Sequence, residues 1–285
     1  MSNTGFSLVD IKGISEPLTK LIDSVSKGIG TIYEPTKKIR NARADAKVMK
    51  ILTEAKCETD EISSRAMERL RHRENRRQEN IDSIVRGASN ELPNTVDTNP
   101  VDEDWIVNFF ELCQDIGNIQ MQQIWAKLLA GEVANPGTFK PRTLQTVKSL
   151  TSEEAHMFTL LCEFSFKSED GANLLPNFSH NYYEFIRAHG LTTNVELHLK
   201  SIGLLNNSDI WYGADDNDET IITLDYFNKK YLASSEPDEG AGILLSAFPF
   251  TDIGNELASI SGAKPNEKYI EHLLEHGDIS MKGII

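Results

Sequence analysis

The densest concentration of chemistry in the sequence is arginine. Arg65-Ala-Met-Glu-Arg-Leu-Arg-His-Arg-Glu-Asn-Arg-Arg77 holds six arginines and two glutamates. On a helix, Arg65, Arg69 and Arg76 approach one face at spacings of four and seven; Arg73 joins them and Arg77 closes the run. A guanidinium fork matches the oxygens of a phosphate, so such a face suits RNA, DNA or a lipid headgroup. The same residues equally make a solvated helix laced with i,i+4 ion pairs. No aromatic residue is interleaved, which argues against a platform for stacking single-stranded bases.

Other chemistry-bearing residues are sparser. His272 and His276 stand at i,i+4, a spacing that can hold zinc, but their neighbours are glutamates and no HExxH surrounds them. Ala214-Asp-Asp-Asn-Asp-Glu219 lacks the loop glycine and the distal glutamate of an EF-hand. Cys57, Cys113 and Cys162 are odd in number and far apart, which excludes a disulfide framework or a Cys-rich zinc site and fits a reducing compartment. There is no Walker A loop, GxGxxG, GxSxG elbow or CxxC pair. The sequence therefore names no catalytic, cofactor-binding or metal-binding residue and no small-molecule substrate, and the expectation is a protein without an enzymatic centre or cofactor.

The charge frames the arginine run. The 285 residues carry a formal net charge of -14, a poor balance for a dedicated DNA-binding protein. Residues 1–91 hold 17 Lys/Arg against 14 Asp/Glu, leaving 12 against 29 for the remainder. A basic front and an acidic back can attract one another within a molecule or between copies, and the front can meet an anionic partner. No secretory signal and no run of roughly 18 apolar residues is present, so a cytoplasmic protein is expected, with a place at the inner membrane surface as the alternative.

Several elements must position these groups. Ile14, Leu18, Leu21, Ile22, Val25, Ile29 and Ile32 lie on one face of an amphipathic helix over 14–32, which needs apolar cover from its own chain, a second copy or a membrane surface. Residues 36–91 lack proline, lack glycine before Gly87, and read as one long helix or two, forming a projecting arm or a helical hairpin. Residues 92–103 have the composition of a linker, and Asp102 or Asp104 is placed to cap the next helix. Helical spacing then recurs through Trp105, Phe109 and Ile116, through Ile124, Trp125, Leu128 and Leu129, and from Pro141 through Leu144 and Val147. Thr151-Ser-Glu-Glu154 is a capping box opening a fourth helix. Trp105, Phe109, Trp125 and Leu128 are the expected anchors of a central bundle over 104–170.

Within that stretch the residues have a known likeness. Asp104-Trp-Ile-Val-Asn-Phe-Phe110, Gln114-Asp115, Gln123-Ile-Trp-Ala-Lys-Leu-Leu-Ala-Gly-Glu132, Pro136-Gly-Thr-Phe139 and Arg142-Thr-Leu144 resemble the signature of DUF2806, a bacterial family of unknown function. Trp-Ala-Lys-Leu-Leu-Ala followed by Leu150-Thr-Ser-Glu-Glu-Ala155 is also similar to the abortive-infection alpha (Abi-alpha) family of phage-resistance proteins. The first resemblance supplies no catalytic residue; the second implies a role in phage defence.

Residues 171–285 read as a helix ending at Gly203, strands at Ile210–Tyr212, 220–224 and 242–248, and a helix capped by Thr251. The acidic loop sits between the first two strands as at a hairpin tip. The order is similar to a degenerate winged helix, with an acidic wing that repels phosphate. The expected fold is thus mainly α: an N-terminal helical arm over 1–91, a central helical bundle, and a C-terminal winged-helix-like α+β module. Its expected role is protein interaction, including self-association, with nucleic acid or an anionic membrane meeting residues 14–77 as the alternative.

Overall fold

The computed structural model describes residues 15–30, 61–177, 180–213, 222–234, 244–276 and 280–283. Residues 36–60 of the expected long helix or hairpin, including Cys57, and the acidic run at 214–219 lie outside them. The chain divides into two compact units, Met1–Ser149 and Leu150–Ile285.

Proline in the first turn opens α1 (Glu16–Gly28), which buries Pro17, Leu21, Ser24 and Val25. It is followed by α2 (Glu61–Glu91), α3 (Glu103–Cys113), α4 (Ile119–Ala134) and α5 (Pro141–Ser149). Helix α3 is capped by Asp102, whose carboxylate accepts the Trp105 N–H at 2.8 Å, and Asn118 caps α4 in the same way. The buried face of α1 packs on α3 and α4. Its own chain therefore covers Leu21 and Val25, while Leu18, Ile22 and Ile29 are half-buried.

The two halves of α2 differ in burial. Between Ile62 and Glu79 no residue of α2 is buried, whereas Asn80, Ile81, Ile84, Val85 and Ala88 are. The C-terminal half of α2 packs lengthwise on α4. Gly87 permits this approach, since a Cβ there would lie 2.8 Å from the Ala126 Cβ. The physical reason lies in composition: Ile62, Ala66, Met67 and Leu70 are thinly spread among charged residues, whereas after Arg77 apolar and small residues recur every three or four positions at Ile81, Ile84, Val85 and Ala88. The 92–103 stretch lies against the same unit, with the Asp97 N–H donating to the Ala134 carbonyl at 2.8 Å and the Lys20 ammonium donating to the Asp97 carbonyl at 2.7 Å.

The second unit begins with the helix expected as the fourth of the bundle, α6 (Ser152–Glu163). Its capping box is formed: Thr151 accepts from the Glu154 N–H while Glu154 accepts from the Thr151 N–H. Strands β1 (Phe166–Lys167) and β2 (Asn173–Asn177) follow, then α7 (His180–Ala188), α8 (Thr193–Ser201), β3 (Ile210–Gly213), β4 (Ile222–Tyr226), β5 (Lys229–Ser234), β6 (Leu244–Pro249), α9 (Asp252–Ala258), α10 (Glu267–His276) and β7 (Ser280–Gly283). The strands form one antiparallel sheet in the order β3-β6-β2-β1-β4-β5-β7. Three strands were expected and seven are found among the described residues. Strand β3 pairs with β6, and β4 with β1 and β5, so the acidic loop does not close a hairpin between β3 and β4. The core of this unit is aromatic: Phe164, Phe166, Tyr182, Tyr226 and Tyr269 are buried together, and the Tyr269 hydroxyl donates to the Phe164 carbonyl at 3.1 Å.

Candidate anion-binding surface

The arginines of α2 fall into two groups. Arg77 lies four, seven and eleven residues before Ile81, Ile84 and Ala88, on the face that is buried in the next turns. Its guanidinium reaches Asp115, in the turn after α3, with Nε donating to Oδ1 at 2.9 Å and Nη2 to Oδ2 at 2.8 Å. Arg76 adds a longer contact to the same carboxylate at 3.4 Å. The bond from Arg77 holds the Asp115 carboxyl below its ordinary range, and Asp115 in turn raises the guanidinium of Arg77. Arg77 thus serves as a clamp between α2 and the α3–α4 turn. A second tie lies one turn on. The Asn80 amide donates to the Gln114 carbonyl at 2.9 Å, the Gln122 amide donates to Asn80 Oδ1 at 3.1 Å and to the Ile116 carbonyl at 2.8 Å, and Ser83 donates to Gln122 Oε1 at 2.7 Å. Fully bonded buried polar groups of this kind fix one register between two helices.

The second group is directed away from that packing. Arg65, Arg69, His72 and Arg76 recur at spacings of four, three and four and are all exposed. The Arg76 side chain retains 56% of its exposure and Arg73, which meets Glu74 at 3.4 Å, retains 52%. An open cavity of about 640 Å³ is lined by Ile62, Arg65, Glu68, Arg69 and His72. The structure thus brings Arg65 and Arg69 to one concavity, sets Arg73 and Arg76 farther along the helix, and takes Arg77 out of the set. The rigid root of α2 presents the others without folding work on binding, which is the chemical capability of the site: multidentate, charge-assisted contact with an anion.

The anchors expected from the sequence are all buried: Trp105, Phe109, Trp125 and Leu128. Trp105 stacks on Phe109 at 5.3 Å, and Phe109 meets Trp125 edge-on at 5.2 Å. Sequence reasoning missed a further residue, Glu132. Almost wholly buried, it accepts the N–H groups of Gly137 at 2.6 Å and Phe139 at 3.0 Å, closing the Asn135–Lys140 loop onto α4. The Phe139 carbonyl accepts the Trp105 indole N–H at 2.7 Å, and the Phe139 ring lies where a Cβ on Gly131 would come within 2.7 Å. Gly131-Glu132 followed by Pro136-Gly-Thr-Phe139 is therefore a helix-to-loop lock. The signal was an acidic residue in an otherwise apolar helix end, just before a Pro-Gly turn.

Both described cysteines are buried; the Cys162 thiol is pushed up to about 12, and Cys113 is raised further still by the same desolvation. Thiols so held are poor nucleophiles. His272 stacks on Phe185 at 4.4 Å, opposite His189 at 4.1 Å, within the aromatic cluster. Among the described residues no group of three His, Cys, Asp or Glu side chains converges as a metal site, and no helix is long and apolar enough to cross a membrane.

These features define a class: a helical scaffold, joined to a mixed helix-and-sheet unit, that roots one long basic helix by half its length. The chain belongs to the family described as "Protein of unknown function (DUF2806)", whose model matches residues 64–274. That match begins one residue before the arginine run and ends within α10. No curated protein and no solved structure matches the chain significantly.

Proposed function

We propose that this is a non-enzymatic interaction protein whose contact surface is the exposed arginine face of the N-terminal half of α2. One observation carries the reading: Arg65, Arg69, Arg73 and Arg76 stand exposed on a helix whose other half is fixed by Arg77–Asp115 and the Asn80–Gln122 ladder. Exposed arginines on a rigid mount suit an acidic protein surface, and the excess of 29 acids over 12 bases beyond residue 91 makes a second copy of the chain such a surface. The docking of α1 within the chain supports contact through α2 rather than through the front helix. The winged-helix likeness of residues 171–285, with its acidic run, fits a module for protein contact. The Abi-alpha likeness around Trp125 and Thr151 supports a setting in bacterial phage defence or stress response.

A second reading uses the same arginines for nucleic acid or an anionic membrane surface. It is favoured by the concavity at Arg65, Arg69 and His72, where three nitrogen-bearing side chains meet. Sedimentation velocity of the full chain at low and high salt, beside RNA filter binding and co-sedimentation with phosphatidylserine vesicles, separates the two. Salt-sensitive self-association abolished by R65Q/R69Q/R73Q/R76Q supports the first. A monomer that binds RNA or vesicles through these arginines supports the second. A monomer indifferent to both probes contradicts each.

A further inference from the structure

The second unit holds a cavity of about 270 Å³ at the turn of the β4–β5 hairpin. Three polar residues line it from adjacent strands in direct register: Lys167 of β1 stands opposite Asn173 of β2 on one side and Asp225 of β4 on the other. Side chains directly opposite in antiparallel strands share a face of the sheet. Cross-strand Lys and Asp normally pair, yet among the described residues the Lys167 ammonium has no ion-pair partner. Asp225 Oδ1 accepts the Asn228 N–H at 2.9 Å and its Oδ2 accepts nothing. Asn173 is 8% exposed; its amide N–H donates to Asn255 Oδ1 at 2.9 Å, while its own Oδ1 is without a donor among the described residues. One cation, one carboxylate oxygen and one amide oxygen thus face a common space with bonding capacity unused.

The hairpin supplies the cover. Phe227 and Asn228 form its two-residue loop, both in the left-handed region, at φ 49° and 67°. Such turns favour Asn-Gly, and a phenylalanine at the first position is strained. That backbone sets Phe227 on the lining of the cavity, while Tyr226 fixes the strand end by donating to the Glu163 carbonyl at 2.7 Å and accepting the Asn266 N–H at 2.8 Å. The opposite wall is the turn after α9, where the Ser259 and Ser261 hydroxyls already donate to backbone carbonyls.

We infer that this cavity binds a small zwitterion of the α-amino acid class. Its carboxylate meets Lys167, its ammonium meets Asp225 Oδ2 and Asn173 Oδ1, and Phe227 covers its apolar part. The volume, just below the roughly 300 Å³ at which ligand pockets commonly begin, suits a molecule of that size. The inference rests on the second unit and is independent of the arginine-bearing helix.

The test is amide NMR on the full chain, titrated with the L-α-amino acids singly and with acetate and methylammonium as single-charge probes. At least one amino acid is expected to produce saturable shifts at Lys167, Asp225 and Asn228. K167M and D225N are each expected to weaken that binding about tenfold or more while the remaining spectrum is kept. Lys167 is exposed, so K167M reads binding without loss of fold. No shift with any amino acid, equal binding of acetate or methylammonium, or unchanged affinity in K167M overturns the inference.

Discussion

The two halves of α2 differ in what they touch although they share one helix. From Ile62 to Arg73 the helix is charged and has no buried residue, with Ser63, Met67 and Leu70 half-buried; from Arg77 to Ala88 it is clamped, bonded and buried on one face. Helical propensity is comparable along its length, so packing and not propensity separates them. The lesson concerns arginine. Arg77 and Arg69 have the same chemistry, and position relative to Ile81 and Ile84 decides that one becomes structural and the other faces solvent.

The largest expected effect breaks the comparison at its apolar contact. Ile84 is fully buried and Ile62 is 67% exposed. Ile84→Asn should lower stability by about 3–5 kcal/mol, from lost packing and an unpaired buried amide. Ile62→Asn should stay within about 0.5 kcal/mol. Chemical denaturation of the two variants measures the difference, and equal losses would show that the N-terminal half is also packed.

A smaller effect is expected at the close approach of α2 to α4. Gly87→Ala places a Cβ against Ala126, and overpacking of about 1–3 kcal/mol is offset by about 1 kcal/mol of gained helix propensity. Ser64→Ala, at an exposed position of the N-terminal half, should gain a few tenths of a kcal/mol. A drop in melting temperature for the first variant and none for the second is the expected pair.

The clamp comes next. Asp115→Asn should cost about 1 kcal/mol, discounted because Asp115 keeps 35% exposure. The folded carboxyl sits below its ordinary value near 4, so its contribution is present above that pH and is lost as the pH falls through the lower folded value. The stability gap between wild type and Asp115→Asn should therefore shrink in acid. A gap that widens in acid would contradict the pairing. Arg69→Gln should leave stability unchanged at any pH.

The sequence revealed the elements with local signatures. The Asp102 and Thr151 caps, Pro141 at a helix start, and the burial of Trp105, Phe109, Trp125 and Leu128 all follow from side-chain type and spacing. What escaped depends on partners distant in the chain. Nothing local marks Arg77 as the mate of Asp115, 38 residues on, or Phe139 as the carbonyl that receives the Trp105 indole. The sheet was underestimated for a related reason. β1 has two residues, too few to show alternation, and β2 carries a proline that argues against a strand. The pairing of β3 with β6 joins residues more than thirty apart, so adjacency in sequence suggested the wrong neighbour.

The central claim is that the exposed arginines of α2 make contact with a partner while Arg77 holds the helix to its own chain. Sedimentation velocity of R65Q/R69Q/R73Q/R76Q beside wild type at low salt, with melting temperatures taken on the same samples, tests it most directly. The account predicts an associating wild type and a monomeric, folded variant whose melting temperature falls only by the small amount expected for exposed ion pairs such as Arg76–Asp115. Association that survives all four substitutions, or a variant that melts markedly lower, would contradict it.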